Sequence, residues 1–255
     1  LMTFAVIPFG TTITLLGREV PLQVADLNVG ILYILALTSI GVYGLVLAGW
    51  ASNSKYSLIG GLRSSAQLIS YELAMGLSVV SVILLAGSLK LNVIVEDQQG
   101  YLLSWNVFKQ PVAFLIFLVA VYAETNRLPF DLTEAEQELV GGYHTEYSSM
   151  KFAMFFTAEY ANMVTAAALT VTLFFGGWDV PLLNETSMGA LGAILSVLSF
   201  ILKTAFFLFL FIWVRWTFPR FRYDQLMKLG WKVMLPLALI NIFVTGGYLT
   251  LTSLR

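Results

Sequence analysis

The chain has 255 residues, 58% of them hydrophobic and only 11% charged, with a formal net charge of −1 and a mean hydropathy of +0.81. Soluble domains carry about 25% charged residues, so the composition excludes one and marks a polytopic membrane protein. There is no cysteine, which excludes cysteine-ligated iron–sulfur clusters and disulfides within the chain. The single histidine, His144, argues against haem or zinc, and the near-neutral charge excludes a nucleic-acid partner. Any redox cofactor would have to sit in another chain.

From the N-terminus, Leu1 to Phe9 is apolar at once and lacks the charged start and small-residue cleavage site of a signal peptide. It reads as the end of a helix that earlier residues would begin. A spanning helix needs about 20 predominantly apolar residues, and six segments qualify after this partial one: 28–50, 65–88, 108–126, 151–175, 188–214 and 230–252. Their apolar character continues all round the helix, as membrane burial requires. Gly44 with Ala48, and Gly189 with Ala193, stand four apart, a spacing that lets helices approach closely. The fold class predicted is therefore an all-α polytopic transmembrane bundle in a single domain covering 1–255. No internal repeat of the kind found in many secondary transporters is visible.

Basic residues orient the bundle. Lys55, Arg63, Arg127, Lys151, Arg215, Arg220, Arg222, Lys228 and Lys232 fall on one side, against Arg18, Lys90, Lys109 and Arg255 on the other. The richer side faces the cytoplasm or its matrix equivalent. Loops near 51–64, 126–150 and 215–229 are thus expected there, while 89–107 is expected as an exposed turn or short amphipathic piece on the opposite side.

Three ionisable residues lie inside the predicted spans. A rise of 1.5 Å per residue puts Glu72 about 14 Å from Arg63, Glu159 about 12 Å from Lys151 and Lys203 about 18 Å from Arg215. All three therefore read as near mid-depth of a core about 30 Å thick. Each central charge costs roughly 2.5–3.5 kcal/mol on insertion, so something must offset or require them. Burial and acid–base pairing shift such groups in opposite directions, which is what a proton relay exploits; a buried Lys–Glu pair that pins helix packing is the simpler alternative.

The densest chemistry lies between the third and fourth spans, where Glu124, Asp131, Glu134, Glu136, Glu138 and Glu146 crowd into one stretch. Pro129 disfavours helix at Leu128 and should stop the span there. Thr133 with Glu136 fits a capping box for a short new helix, so Glu134 and Glu136 are equally well read as helix-start acids. Glu138 and Glu146 lie nearer the next span. The 215–228 loop interleaves aromatics with Arg215, Arg220 and Arg222, as either an interfacial anchor or a surface complementary to the acidic loop.

Several long motifs, in order, resemble the membrane subunit of respiratory complex I that joins its hydrophilic and membrane arms, the family of H-type subunits of NADH-quinone oxidoreductase. They are Asp26-Leu-Asn-Val-Gly30, Ala48-Gly-Trp-Ala-Ser-Asn-Ser-Lys-Tyr56, Leu62-Arg-Ser-Ser-Ala-Gln67 with Ser70-Tyr-Glu72, the acidic stretch Glu124 to Leu139 followed by Gly141 to Tyr147, Ala158-Glu-Tyr160, and Pro219-Arg-Phe-Arg-Tyr-Asp-Gln225. The resemblance implies eight spanning helices in a complete member, with the first helix and an amphipathic interfacial helix preceding Leu1. By motif position it implies a polar coupling path through Glu72, Glu124, Asp131, Glu138, Glu146, Glu159 and Lys203. It implies a quinone tunnel that includes Arg127, Phe156 and Arg215.

Also implied are quinone as substrate, no cofactor or metal bound by this chain, and FMN and iron–sulfur clusters in partner subunits. The partners would be the hydrophilic quinone-module subunits and the antiporter-like membrane subunits, in a bacterial inner membrane or, alternatively, a mitochondrial one. The rival reading is the membrane anchor of an energy-converting hydrogenase or formate hydrogenlyase. A free-standing ion transporter is a third.

Overall fold

A computed structural model describes residues 2–15, 18–131, 142–181 and 189–253. Its helices are α1 (Gly30–Ala51), α2 (Lys55–Ala86), α3 (Leu91–Glu96), α4 (Asn106–Lys109), α5 (Pro111–Glu124), α6 (Ser149–Phe174), α7 (Ala190–Thr217), α8 (Tyr223–Lys228) and α9 (Leu235–Ser253). An all-α bundle is what the hydropathy pattern requires, and α1, α2, α7 and the stretch Tyr223–Thr252 are long and apolar enough to cross a membrane. The other two predicted spans differ. Helix α5 has 14 residues, because Gln110 breaks the chain between α4 and α5 and Pro111 can only open a new helix. Helix α6 has the length, at 26 residues, but carries Lys151 and Glu159 in its first half and Asn162 just past its middle.

The hub is α2, which packs on α1, α5 and α9. Its 32 residues make it about 48 Å long, and it ends where Gly87 adopts φ 65° and returns its N–H to Ile83 O at 2.8 Å, as a left-handed cap does. It begins ten residues before the predicted span, so the expected 51–64 loop shrinks to the Ser52–Ser54 connection. The reason is packing: its buried face offers Ser57, Gly60, Gly61, Ser64 and Ser65, small residues that look like loop in a hydropathy profile. A Cβ on Gly60 would come within 2.9 Å of the Gly142 backbone, and one on Gly49 within 2.7 Å of Ser57 O. Close approach thus runs through Gly49, Gly60 and Gly61, whereas Gly44 and Gly189 face open space.

The core is continuous from Tyr71, Met75 and Val82 on α2 through Phe117 and Val121 on α5 to Leu173 and Phe174 on α6. Outward faces remain apolar, with Ile40, Phe206, Phe209 and Phe243 exposed, as lipid contact demands. Between α8 and α9 the chain makes a π turn, Leu229–Met234. Pro236 lacks an N–H and cannot donate to the turn before it, and there Leu235 N–H reaches five residues back to Gly230 O.

Two features depart from the sequence reading. Residues Thr12–Leu15 and Arg18–Pro21 form an antiparallel hairpin, β1 and β2, with Thr12 opposite Pro21. The 89–107 segment is not an exposed turn: Gln98, Trp105 and Asn106 are buried. Gln98 Nε2 donates to Thr172 O at 3.1 Å and Asn106 Nδ2 to Leu173 O at 2.9 Å, so these side chains satisfy carbonyls that the end of α6 leaves orphaned.

Candidate functional site

Glu72 on α2, Glu124 at the end of α5 and Glu159 on α6 open onto one cavity of about 610 Å³. Its remaining wall is amphipathic, with Leu37 and Val42 of α1 and Met154 and Phe155 of α6 beside Thr38 and Asn162. The carboxylates are individually held. Ser39 Oγ donates to Glu72 Oε1 as well as to Leu35 O. Glu124 accepts from the Thr38 hydroxyl and faces the charge of Glu72. Glu159 Oε1 accepts from the Tyr143 hydroxyl at 3.0 Å, and its Oε2 lies 3.5 Å from Arg127 Nη2.

Arg127 is the buried cation of this site, its side chain 8% exposed against 13% for Glu159. Its guanidinium carbon sits 4.5 Å from the centre of the Tyr160 ring. Among the described residues, its buried Nε has no hydrogen-bond acceptor. The turn that presents Arg127 is fixed from α2: Gln67 Nε2 donates to Ala123 O and Phe130 O, each at 2.8 Å. Asn126 adopts φ 50°, a left-handed conformation that Asn tolerates, and so ends α5.

Asp131 belongs to a second contact. Arg220 Nη2 bonds Asp131 Oδ2 at 3.0 Å, Phe221 N–H donates to Pro129 O at 3.1 Å, and the Phe130 and Phe221 rings stack 5.5 Å apart. The basic aromatic loop is therefore complementary to the start of the acidic loop within this chain. Alongside it, Arg63 lies 5.5 Å over the Tyr223 ring, and Tyr71 Oη donates to Leu226 O at 2.9 Å.

The other predicted site residues lie elsewhere. Glu146 is exposed in a shallow recess with Ser52 and Lys151, and Arg215 is exposed on the last turn of α7. Phe156 packs on Phe152 and His144, while its neighbour Phe155 faces the cavity. Glu138, together with Glu134, Glu136 and the Thr133 capping box, lies outside the described residues. Lys203 does not line the cavity. Its Nζ donates to Phe175 O, Gly177 O and Asp179 O, at the far end of α6, about 24 Å along the helix from Glu159. Lys203 therefore does not share a site with Glu72 and Glu159. Burial pushes the Asp179 carboxyl above the usual carboxylate range, against the opposing pull of the Trp105 indole, the Lys203 ammonium and the Gly100 N–H.

Tyr143, Ser39, Gln67 and Arg220 are the members that sequence reasoning did not assign to the site. Of these, Gln67, Tyr143 and Arg220 fall within motifs that carry the family resemblance, and Ser39 does not.

The profile of the NADH dehydrogenase family matches residues 1–246. A relative from Geobacter sulfurreducens, the second of two H-type NADH-quinone oxidoreductase subunits of that bacterium, is 57% identical over 249 residues, covering 98% of this chain and 71% of the relative. NADH-quinone oxidoreductase subunit 8 of Rhodothermus marinus is 62% identical over 230 residues, covering 87% of this chain and 67% of the relative. The H-type NADH-quinone oxidoreductase subunit of Salinibacter ruber is 59% identical over 240 residues, covering 91% and 70%. With a family match along nearly the whole chain and this level of identity, the chain belongs to the NADH dehydrogenase family, among the H-type subunits of NADH-quinone oxidoreductase.

Proposed function

We propose that this chain is the membrane subunit of a proton-pumping NADH:quinone oxidoreductase that forms much of the quinone chamber with the hydrophilic arm and couples quinone reduction to proton translocation. The observation that carries this reading is the shared cavity: Glu72, Glu124 and Glu159 come from three helices yet open onto one amphipathic space. Intramembrane carboxylates are rare and costly, and three around one void are more than packing needs.

Quinone is the substrate in this reading, and the electrons come from FMN and iron–sulfur clusters in partner subunits. Arg127 supplies a donor toward a quinone oxygen, and Tyr143 and Glu159 stand next to it. A charge change on the quinone alters the field at Glu159, whose carboxylate is shared between Tyr143 Oη and Arg127. A proton taken up or released there passes to Glu124 and Glu72 through the polar cavity, each carboxylate holding a hydroxyl partner in place. Asp131 fixes the chamber wall through Arg220, and Glu138 and Glu146 complete the acidic loop. The charge then leaves toward antiporter-like subunits. The setting is the inner membrane of a bacterium, with a mitochondrial inner membrane as the alternative, and the basic side faces the cytoplasm or matrix.

Glu159→Gln in the assembled complex tests the reading. Inhibitor-sensitive quinone reduction should fall by about tenfold, equivalent to 1.4 kcal/mol of barrier, with assembly intact; full activity and pumping would refute it.

A further inference from the structure

Lys203 stands outside the carboxylate cavity, and its surroundings are unusually complete. Nζ lies 2.8 Å from Phe175 O, 3.1 Å from Gly177 O and 2.6 Å from Asp179 O. An ammonium has three N–H donors, and among the described residues three backbone carbonyls accept from this one. The Trp105 ring covers the same charge, its centre 4.6 Å from Nζ, and the Asp179 carboxylate is close enough to act on it electrostatically.

The cage is built for this purpose. Gly176 and Gly177 adopt φ 69° and 54°, in a turn that aims the alternate carbonyls of Phe175, Gly177 and Asp179 at Nζ while Gly176 O accepts the Asp179 N–H at 2.9 Å. A Cβ on Gly176 would come within 2.7 Å of Trp105 Nε1, and one on Gly177 within 2.8 Å of Val95. Trp105 Nε1 donates to Asp179 Oδ2 at 3.4 Å, and Ser199 Oγ to Asp179 O at 3.2 Å. Gln98 Oε1 accepts Gly176 N–H at 3.1 Å.

We propose that this cage is a monovalent-cation seat plugged by the chain's own Lys203 ammonium, a fixed charge that clamps α7 to the end of α6 rather than a proton carrier. A carrier must release its proton. Each of these three carbonyls can only accept, so a neutral amine would leave one of them without a donor and aim its lone pair at another acceptor. The chemistry that suits the seat is a primary ammonium, which matches three acceptors and a ring face at once.

The test uses the whole oxidoreductase carrying Lys203→Ala, Lys203→Arg or Lys203→Met. Lys203→Ala should lower the melting midpoint of the complex by about 5 °C or more. Methylammonium at tens of millimolar should restore most of that loss, and tetramethylammonium, which has no N–H, should not. Lys203→Arg, a charge that holds its proton at all working pH values, should keep the proton-to-electron ratio in proteoliposomes. The proposal is overturned if Lys203→Ala is as stable as the parent or shows no response to methylammonium. It is equally overturned if Lys203→Arg and Lys203→Met both lose pumping while keeping the parent's melting midpoint. The thermal readout stands apart from the proposed coupling function, so the failure of one does not read as failure of the other.

Discussion

At the scale of single residues, geometry separates groups that composition lumps together. Asp131 and Arg220 form a partly exposed pair, so their coupling should be modest. A double-mutant cycle with Asp131→Asn and Arg220→Gln should return about 1 kcal/mol. Gln67 matters more, because its one amide serves two buried carbonyls. Gln67→Leu leaves both unmet, a cost of about 2–4 kcal/mol, and should appear as a lower melting midpoint of the assembled complex. Asp179 gives a pH signature. Its carboxyl is raised in the folded state, so between the ordinary carboxylate range and the raised value the folded chain holds the proton that the unfolded chain has lost. Stability is fully present below the ordinary range and declines as pH rises through the raised value. Asp179→Asn should flatten that decline in a melting profile taken across pH, and an unchanged slope would contradict the assignment.

At the scale of elements, the long apolar helices were legible because the hydropathy that lipid demands runs through most of α1 and α7. What escaped was anything that depends on small or polar residues finding a partner far along the chain. The first turns of α2 looked like loop, since Ser57, Gly60 and Ser64 are polar or small; they are helix because the Gly142–His144 turn lies directly against Gly60. The Gln98–Asn106 segment looked exposed for the same reason, although its amides close the end of α6. Of the site, Glu72 and Glu159 were readable as costly intramembrane charges and Glu124 as the first member of the acidic stretch, while Tyr143 and Ser39 were not, since a hydroxyl carries no such cost. Lys203 was readable as a third such charge, but its carbonyl partners in the 175–179 turn were not, since no spacing in the sequence points to them. The element-level consequence is that Gly60→Val should displace the Gly142–His144 turn and with it Tyr143. Quinone reduction should fall in the Gly60→Val complex, whereas Gly44→Val, which faces open space, should leave it intact.

At the scale of the whole molecule, the fold is a set of lipid-facing helices around an apolar core, with one amphipathic cavity let into it. Apolar side chains cover the outer faces of α1, α7 and α9, while Glu72, Glu124 and Glu159 open onto one cavity. Those loops are latched to each other through Asp131–Arg220 and Phe130–Phe221, so a displacement of the acidic loop is felt by α8 and the π turn that follows. Such a body suits a coupling role: a rigid apolar frame, one ionisable chamber, and loops joined so that a change at one reaches the other. The central claim is that the cavity carboxylates carry this coupling. It is tested most directly by the proton-to-electron ratio of reconstituted complex bearing Glu72→Gln and Glu124→Gln. The account predicts assembled enzyme whose pumping per NADH oxidised is largely lost; a ratio equal to that of the parent complex would contradict it.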